Sequence, residues 1–303
     1  MATLDELAQQ GDPGTIEDEQ QASKVKLMDP QKLYELWELQ QWASQEIDFS
    51  KDKEDWKNLS GDKRDQVIWA LSSFFIGEER VTTQFSGLVM AYEDEQEESF
   101  LTTQQVDEAR HAQHFNRFYE QVVKYDGTFE DRLNQARKDV SDAFIDLFDN
   151  HLVKAQDRLL ADPTDMEAKV DFVTLYHLVI EGTLALTGQF YITEFMDNNG
   201  VLPGFTEGFK RIAQDEHRHL AYGTWFLKEK AKDPGLRRRI QASLKELVPI
   251  ATLVLVPPGH DPSEPFEVMG FPSEVTHAFA FTALSRRLKV IGVPLEAAEV
   301  VAA

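Results

Sequence analysis

The chain contains no cysteine among its 303 residues, which excludes disulfides, thiolate metal sites and cysteine nucleophiles together. Any metal it binds is held by oxygen and nitrogen. Positive charge is also scarce: 31 Lys and Arg face 53 Asp and Glu, for a formal net charge of -22. A surface this acidic repels phosphate backbones and anionic lipid, so nucleic acid and membrane surfaces are poor partners and divalent cations natural ones. No run of about eighteen consecutive apolar residues occurs, and no membrane-spanning helix is expected. The opening stretch MATLDELAQQGDPGTIEDEQQ is polar and acidic. It has the look of neither a signal sequence nor a transit peptide, and a cytoplasmic location is the expectation. Alternating apolar and polar residues, the mark of a half-buried strand, are missing throughout.

What is present is helical periodicity. Residues 1–25 are rich in Gly, Asp, Glu and Gln without period and are expected to form a disordered acidic tail; residues 26–295 are expected to form one domain. Asp29-Pro30 marks a helix start, with a short helix through Leu33, Leu36, Trp37 and Trp42. A charged loop is expected from Asp48 to Asn58, and Ser60-Gly61 precedes a long helix from Asp62 to about Tyr92. A second long helix, from about Gln96 to Lys124, makes an antiparallel hairpin with it. Further helices are expected over Phe129–Leu160, Asp165–Met196, Phe205–Lys232, Leu236–Val256 and Ser273–Ile291, separated by Asp162-Pro163, DNNGVLPG, Asp233-Pro234-Gly235 and PPGHDP. Long helices with short connections describe an all-α bundle.

Two Glu-x-x-His motifs lie on separate helices: Glu108-Ala109-Arg110-His111 and Glu216-His217-Arg218-His219. Positions i and i+3 are about 60° apart around a helix, so each carboxylate and imidazole face one way. A lone pair would be an ordinary solvated face. Two pairs, each on the second arm of a hairpin, invite a search for a carboxylate at the same depth on each first arm. The first arm offers Glu78 and Glu79, the third long helix Glu181 within LVIEGTLALTG. Leu71, Phe74, Glu78, Val81, Phe85 and Leu88 form one stripe, whereas Glu79 shares a face with Thr82, Thr83 and Ser86; Glu78 is the inward one. A carboxylate on an apolar stripe is costly unless its charge is compensated.

Two divalent ions among four such glutamates and two histidines would balance the charge. A Glu from each of two helices and a Glu-x-x-His from each of two others is the ferritin-like di-iron or di-manganese pattern, and oxygen with imidazole suits those metals better than structural zinc. His217, about 100° from Glu216, is a bystander. His114, His151, His177, His260 and His277 complete no second site and are assigned to packing or surface. Asp107 and Asp215, before the motif glutamates, and Arg110 and Arg218, after them, serve either as hydrogen-bond partners of the histidines or as surface charge.

With GEERVT at 77–82, DEARH at 107–111, YHLVIEGTLALTG at 176–188 and DEHRHLAYGT at 215–224, the chain resembles the ferritin-like dimetal carboxylate proteins over about residues 47–250. Within them it resembles the small subunit of class I ribonucleotide reductase, and more closely the ligand-binding oxidases that look like that subunit. The resemblance implies a ferritin-like four-helix core with additional helices and the metal ligands Glu78, Glu108, His111, Glu181, Glu216 and His219. It implies manganese beside the first Glu-x-x-His hairpin and iron beside the second, with di-iron as the other pairing, and the reduction of dioxygen with an unidentified electron donor. It further implies a valine–tyrosine ether crosslink, here between Val81 and Tyr176, a long-chain fatty acid as ligand, and a homodimer.

Three departures count against a radical-generating reductase subunit: Phe115 stands where such subunits usually place their radical tyrosine, the first ligand is Glu78 rather than the commoner aspartate, and the ending GVPLEAAEVVAA has no tyrosine-bearing acidic tail. An acyl desaturase shares the ligand pattern, and a metal-storage protein is the non-enzymatic alternative.

Overall fold

A computed structural model describes residues 26–293; the tail expected over 1–25 lies outside the described residues. Asp29 caps helix α1, Pro30–Leu39. Helices α2, Ser50–Asn58, α3, Gly61–Gln84, and α4, Ser86–Met90, follow. Helix α5, Glu95–Phe118, begins at the Asp94 cap and runs into a π turn, Tyr119–Val123. After α6, Phe129–Ala136, come α7, Asp142–Ile145, and α8, Leu152–Ala161, joined by a π segment, Asp146–His151. Helix α9, Met166–Val173, continues through a π-helical stretch, Thr174–Ala185, into α10, Leu186–Asn199. Helices α11, Pro203–Lys230, and α12, Pro234–Val254, lead to a two-residue hairpin, β1 Glu267–Val268 and β2 Phe271–Pro272, and then α13, Ser273–Ile291.

Helix α3 packs on α5, and the helix formed by α9, the π stretch and α10 packs on α11, with α11 also touching α5. These four arms are the ferritin-like bundle. Helix α1 lies on α5, while α12 and α13 cover the π stretch. Apolar residues from all four arms merge into one core, among them Leu71, Phe115, Leu178 and Ile212. Helix α11 comes close to its neighbours because it carries glycine: a Cβ at Gly208 would land on the His114 imidazole and one at Gly223 on His177.

Several boundaries differ from the periodicity. The charged stretch expected as a loop is helix α2, because Asp52 and Asp55 point inward. Asp52 accepts from the backbone N–H of Gly204 at 2.8 Å and Phe205 at 2.6 Å, and Asp55 from Leu202 at 3.0 Å. They satisfy the orphan donors at the start of α11, where Leu202 itself sits at a positive φ of 53°. Trp42 lies beyond α1 rather than within it. The first long helix ends at Gln84, where Gly87 of the next helix packs directly on Gln156. The helical stretch expected from 129 to 160 is broken where Ser141 caps α7. The short hairpin was not legible, since strands of two residues carry no period.

By length and composition, Met166–Asn199 could cross a membrane, yet 83% of its most apolar window is buried inside the protein. Its hydropathy is that of a core helix. Inside it, the Thr183 hydroxyl donates to the carbonyl of Leu178, five residues back, at 2.7 Å, which fits the wider π register.

His114 is fully buried among Trp42, Phe49, Phe115 and Phe205. Burial, with the Arg117 charge adding to it, lowers its pKa to about 3. The unfolded chain therefore binds the extra proton first, near the ordinary histidine value. The neutral ring's contribution is present above about pH 6.5 and is lost as pH falls toward 3. Urea unfolding at a series of pH values should show wild type losing up to about 1.4 kcal/mol per pH unit relative to His114→Gln between pH 6 and 4. Parallel curves for the two proteins would show that this histidine does not titrate on unfolding.

Candidate metal centre

The bundle brings Glu78, Glu108, His111, Glu181, Glu216 and His219 to one place, all buried. Glu78 comes from α3, Glu108 and His111 from α5, Glu181 from the π stretch, and Glu216 and His219 from α11. They form two overlapping groups, Glu78, Glu108, His111 and Glu216, and Glu108, Glu181, Glu216 and His219, with the ligand atoms of each group within 4.8 Å of one another. Glu108 and Glu216 belong to both, so each would help to hold either of two ions. Glu79, the candidate rejected on periodicity, sits partly exposed beside Arg80 and Thr83.

Each imidazole turns Nδ1 toward the carboxylates. His111 Nδ1 lies 3.3 Å from Glu78 and 3.5 Å from Glu216. His219 Nδ1 lies 3.1 Å from Glu108 and 3.2 Å from Glu181. Each Nε2 turns outward to an aspartate of the opposite motif: His111 meets Asp215 at 3.1 Å, and His219 meets Asp107 at 3.3 Å. The sequence left these aspartates divided between histidine partners and surface charge; both are buried, and the pairing is crosswise between α5 and α11.

Arg218, fully buried, donates to both aspartates, to Asp107 at 2.9 Å and to Asp215 at 2.5 Å. Arg110 pairs with Asp107. Two indoles complete the array, Trp37 donating to Asp107 at 2.9 Å and Trp42 to Asp215 at 2.7 Å. Asp215 is held below the usual carboxylate range: burial pushes it up, but His111, Arg218 and Arg110 outweigh that.

The shifts of Glu78, Glu181 and both rings register a demand for positive charge. Burial lifts Glu78 and Glu181 well above the ordinary glutamate value. It acts the same way on Glu108, where the nearby His219 and His111 reverse it and hold the group low. For His111 and His219 burial favours the neutral ring, but Glu78 and Glu108 respectively, with their neighbours, raise both well above the ordinary histidine value. Glu181 Oε2 and Glu216 Oε2 are buried without a hydrogen-bond partner, an expensive arrangement unless a cation takes those lone pairs. Carboxylate oxygen and imidazole nitrogen in this number fit two hard or borderline divalent ions.

Tyr176 donates to Glu108 Oε1 at 2.6 Å. Burial, then the charges of Glu108, Glu181 and Glu216, raise its pKa well above the ordinary phenol value. Gln104, which periodicity did not single out, donates to Glu181 at 3.2 Å and contacts His177; its spacing of four residues before Glu108 was the available signal. His217 turns Nδ1 back onto the Ala213 carbonyl, away from the cluster. An apolar cavity of about 140 Å³ opens on Glu78, Glu108, Glu181 and Glu216, with Val81 and Tyr176 both in its wall.

The chain is similar to proteins of known structure. An R2-like ligand-binding oxidase from Sulfolobus acidocaldarius is 28% identical, covering 86% of this chain and 89% of its own, with a TM-score of 0.71. A point variant of an R2-like ligand-binding oxidase with an anaerobically reconstituted Mn/Fe cofactor is 24% identical over 87% of this chain and 93% of its own, with a TM-score of 0.74, a likeness of fold. The family described as ribonucleotide reductase, small chain, matches residues 21–255. The chain belongs to the ribonucleotide reductase small chain family.

Proposed function

We propose that the protein is a dioxygen-dependent oxidase holding one manganese and one iron ion, and that it acts on a carboxylate-headed, fatty-acid-like ligand in the apolar cavity. The observation that carries this reading is the opening of two overlapping Glu/His groups onto that cavity beside Val81 and Tyr176. The similar proteins include one with a reconstituted Mn/Fe cofactor and one described as a ligand-binding oxidase. When bound, a manganese/iron pair would relay to dioxygen the electrons given up by the groups that are oxidised and by a donor.

The chain's own residues do the rest. Glu78, Glu108 and Glu216 with His111 Nδ1 would hold one ion, and Glu108, Glu181 and Glu216 with His219 Nδ1 the other. The crosswise aspartates fix both rings by accepting the Nε2 protons, which leaves Nδ1 free to ligate. Glu108 accepts the Tyr176 hydroxyl proton in a hydrogen bond, placing the phenol oxygen at the cavity wall. The apolar lining keeps water away from the reacting groups.

Val81 lies one turn beyond Glu78 on the same helix face. We assign to this pair the ether crosslink expected from the resemblance: the Val81 Cβ–H and Tyr176 O–H bonds break and a Cβ–O bond forms. Two electrons and two protons pass to dioxygen, and two further electrons from a donor, with two more protons, complete its reduction to two waters. Radical storage in the manner of reductase subunits is disfavoured by Phe115, which packs among Phe74, Phe205 and Phe209 with no phenol at that place.

Intact mass after aerobic loading with manganese and iron should fall by two hydrogens, with a proteolytic fragment joining the Val81 and Tyr176 peptides. Tyr176→Phe should keep its full mass. An unchanged wild-type mass would remove the crosslink. Asp215→Asn should weaken metal affinity about 10- to 100-fold while helicity is retained, and Asp107→Asn likewise. Competition against a coloured chelator reads this, and unaltered affinity would show that the aspartates do not support the ligand histidines.

A further inference from the structure

The reduction of dioxygen to two waters needs two electrons from a donor, and the six residues of the cluster are all buried. A row of rings joins them to the outside. The Tyr176 ring lies 4.7 Å from the His177 ring, His177 lies 5.2 Å from Tyr222, and Tyr222 lies 6.1 Å from Trp225, centroid to centroid. At one end Tyr176 donates to Glu108; at the other, Trp225 is partly exposed. The middle contact depends on Gly223, where the absence of a Cβ lets His177 press against α11.

Tyr119, Tyr176 and Tyr222 are the fully buried tyrosines among the described residues. Their hydroxyls have different partners. Tyr119 meets the Ser72 hydroxyl at 2.8 Å, an alcohol that takes up no proton. Tyr222 donates to Glu97 Oε1 at 2.6 Å, a buried carboxylate that Lys169 also holds, at 2.8 and 2.9 Å. Taking an electron alone from a buried phenol would leave a cation in apolar surroundings, which is costly. A carboxylate on the hydroxyl lets the proton leave as well, and Lys169 keeps Glu93 as a second partner at 3.4 Å when Glu97 is neutralised. Tyr176 has a carboxylate too, but once its oxygen is bonded to Val81 it has no proton to give. Tyr222 is then the first phenol in the row that can lose both.

We propose that Trp225 and Tyr222 form the route by which the donor's electrons enter the metal centre. In one passage Tyr222 gives an electron inward through the His177 and Tyr176 rings while its hydroxyl proton moves to Glu97, leaving a neutral phenoxyl radical. Trp225 then gives an electron to that radical, Glu97 returns the proton, and a one-electron reductant in solution, such as ascorbate, restores the indole. Two passages, with two protons from water, supply what the reduction of dioxygen still needs. The driving force is in keeping with the chemistry assigned to Val81, because a phenol O–H bond is weaker than an aliphatic C–H bond. The inference rests on the oxidase reading.

Freeze-quench electron paramagnetic resonance of the full-length, manganese- and iron-loaded protein, mixed with dioxygen and ascorbate, tests it. Trp225→Phe cuts the supply from the surface, so a phenoxyl signal should accumulate, and it should narrow when the protein is made with ring-deuterated tyrosine. Adding Tyr222→Phe to that variant should abolish the signal with metal content unchanged. Each single variant should lose most of the ascorbate oxidation that wild type shows. In heavy water the signal should form more slowly, because the proton moves with the electron. No signal in Trp225→Phe, a tyrosine signal that persists without Tyr222, formation as fast in heavy water, or ascorbate oxidised by both single variants as fast as by wild type would each overturn the route while leaving the oxidase standing. Failure of wild type to consume dioxygen at all would overturn the oxidase reading, and the route with it.

Discussion

Four glutamates buried in two overlapping groups are the constraint around which this protein is arranged. In an apolar bundle their charge is tolerable only if positive charge is delivered to the same place. Two imidazoles deliver part of it, and the direction of each shift, the edge carboxylates toward neutral and the rings toward cation, shows that more is wanted. Two buried carboxylate oxygens without a hydrogen-bond partner, Glu181 Oε2 and Glu216 Oε2, belong to residues of the same Glu/His group. A pair of divalent ions resolves all of these demands together, which is why the metal reading follows from the energetics as well as from the spacing.

A site of this kind depends on rigid supports. The crosswise bonds from His111 to Asp215 and from His219 to Asp107 tie α5 to α11 on the outer side of the cluster. Arg218 lies between the aspartates and offsets their charges, so the support is itself a balanced buried network. Trp37 and Trp42 extend it to α1 and the segment that follows. At the far end of α11, Asp52 and Asp55 of α2 hold the helix start in place. Positioning of the ligands thus draws on residues well outside the bundle's four arms.

The six clustered residues were legible because each helix imposes its own geometry. Spacing of i and i+3 aligned Glu108 with His111 and Glu216 with His219, and the apolar stripe separated Glu78 from Glu79. The same logic located the helical hairpins, since amphipathic period survives in any tertiary context. What could not be read depends on which helices become neighbours. The crosswise aspartate pairing, the two indoles, the Gln104 amide and the capping role of α2 are contacts between segments far apart in sequence, and no local period encodes them. The polar surface of α2 concealed Asp52 and Asp55 as ordinary solvated charge, and the hairpin around Met269 was too short to register.

The central claim is that the Nδ1 atoms of His111 and His219 and the four glutamates hold two different metal ions. Diffraction from crystals of the full-length protein loaded with manganese and iron, recorded at both absorption edges, tests it most directly. Two anomalous peaks are predicted, one bonded to His111 Nδ1 and Glu78, the other to His219 Nδ1 and Glu181, with Glu108 and Glu216 between them, and with manganese and iron both represented. A cluster without peaks, or metal bound on the Nε2 side of either ring, would contradict the account.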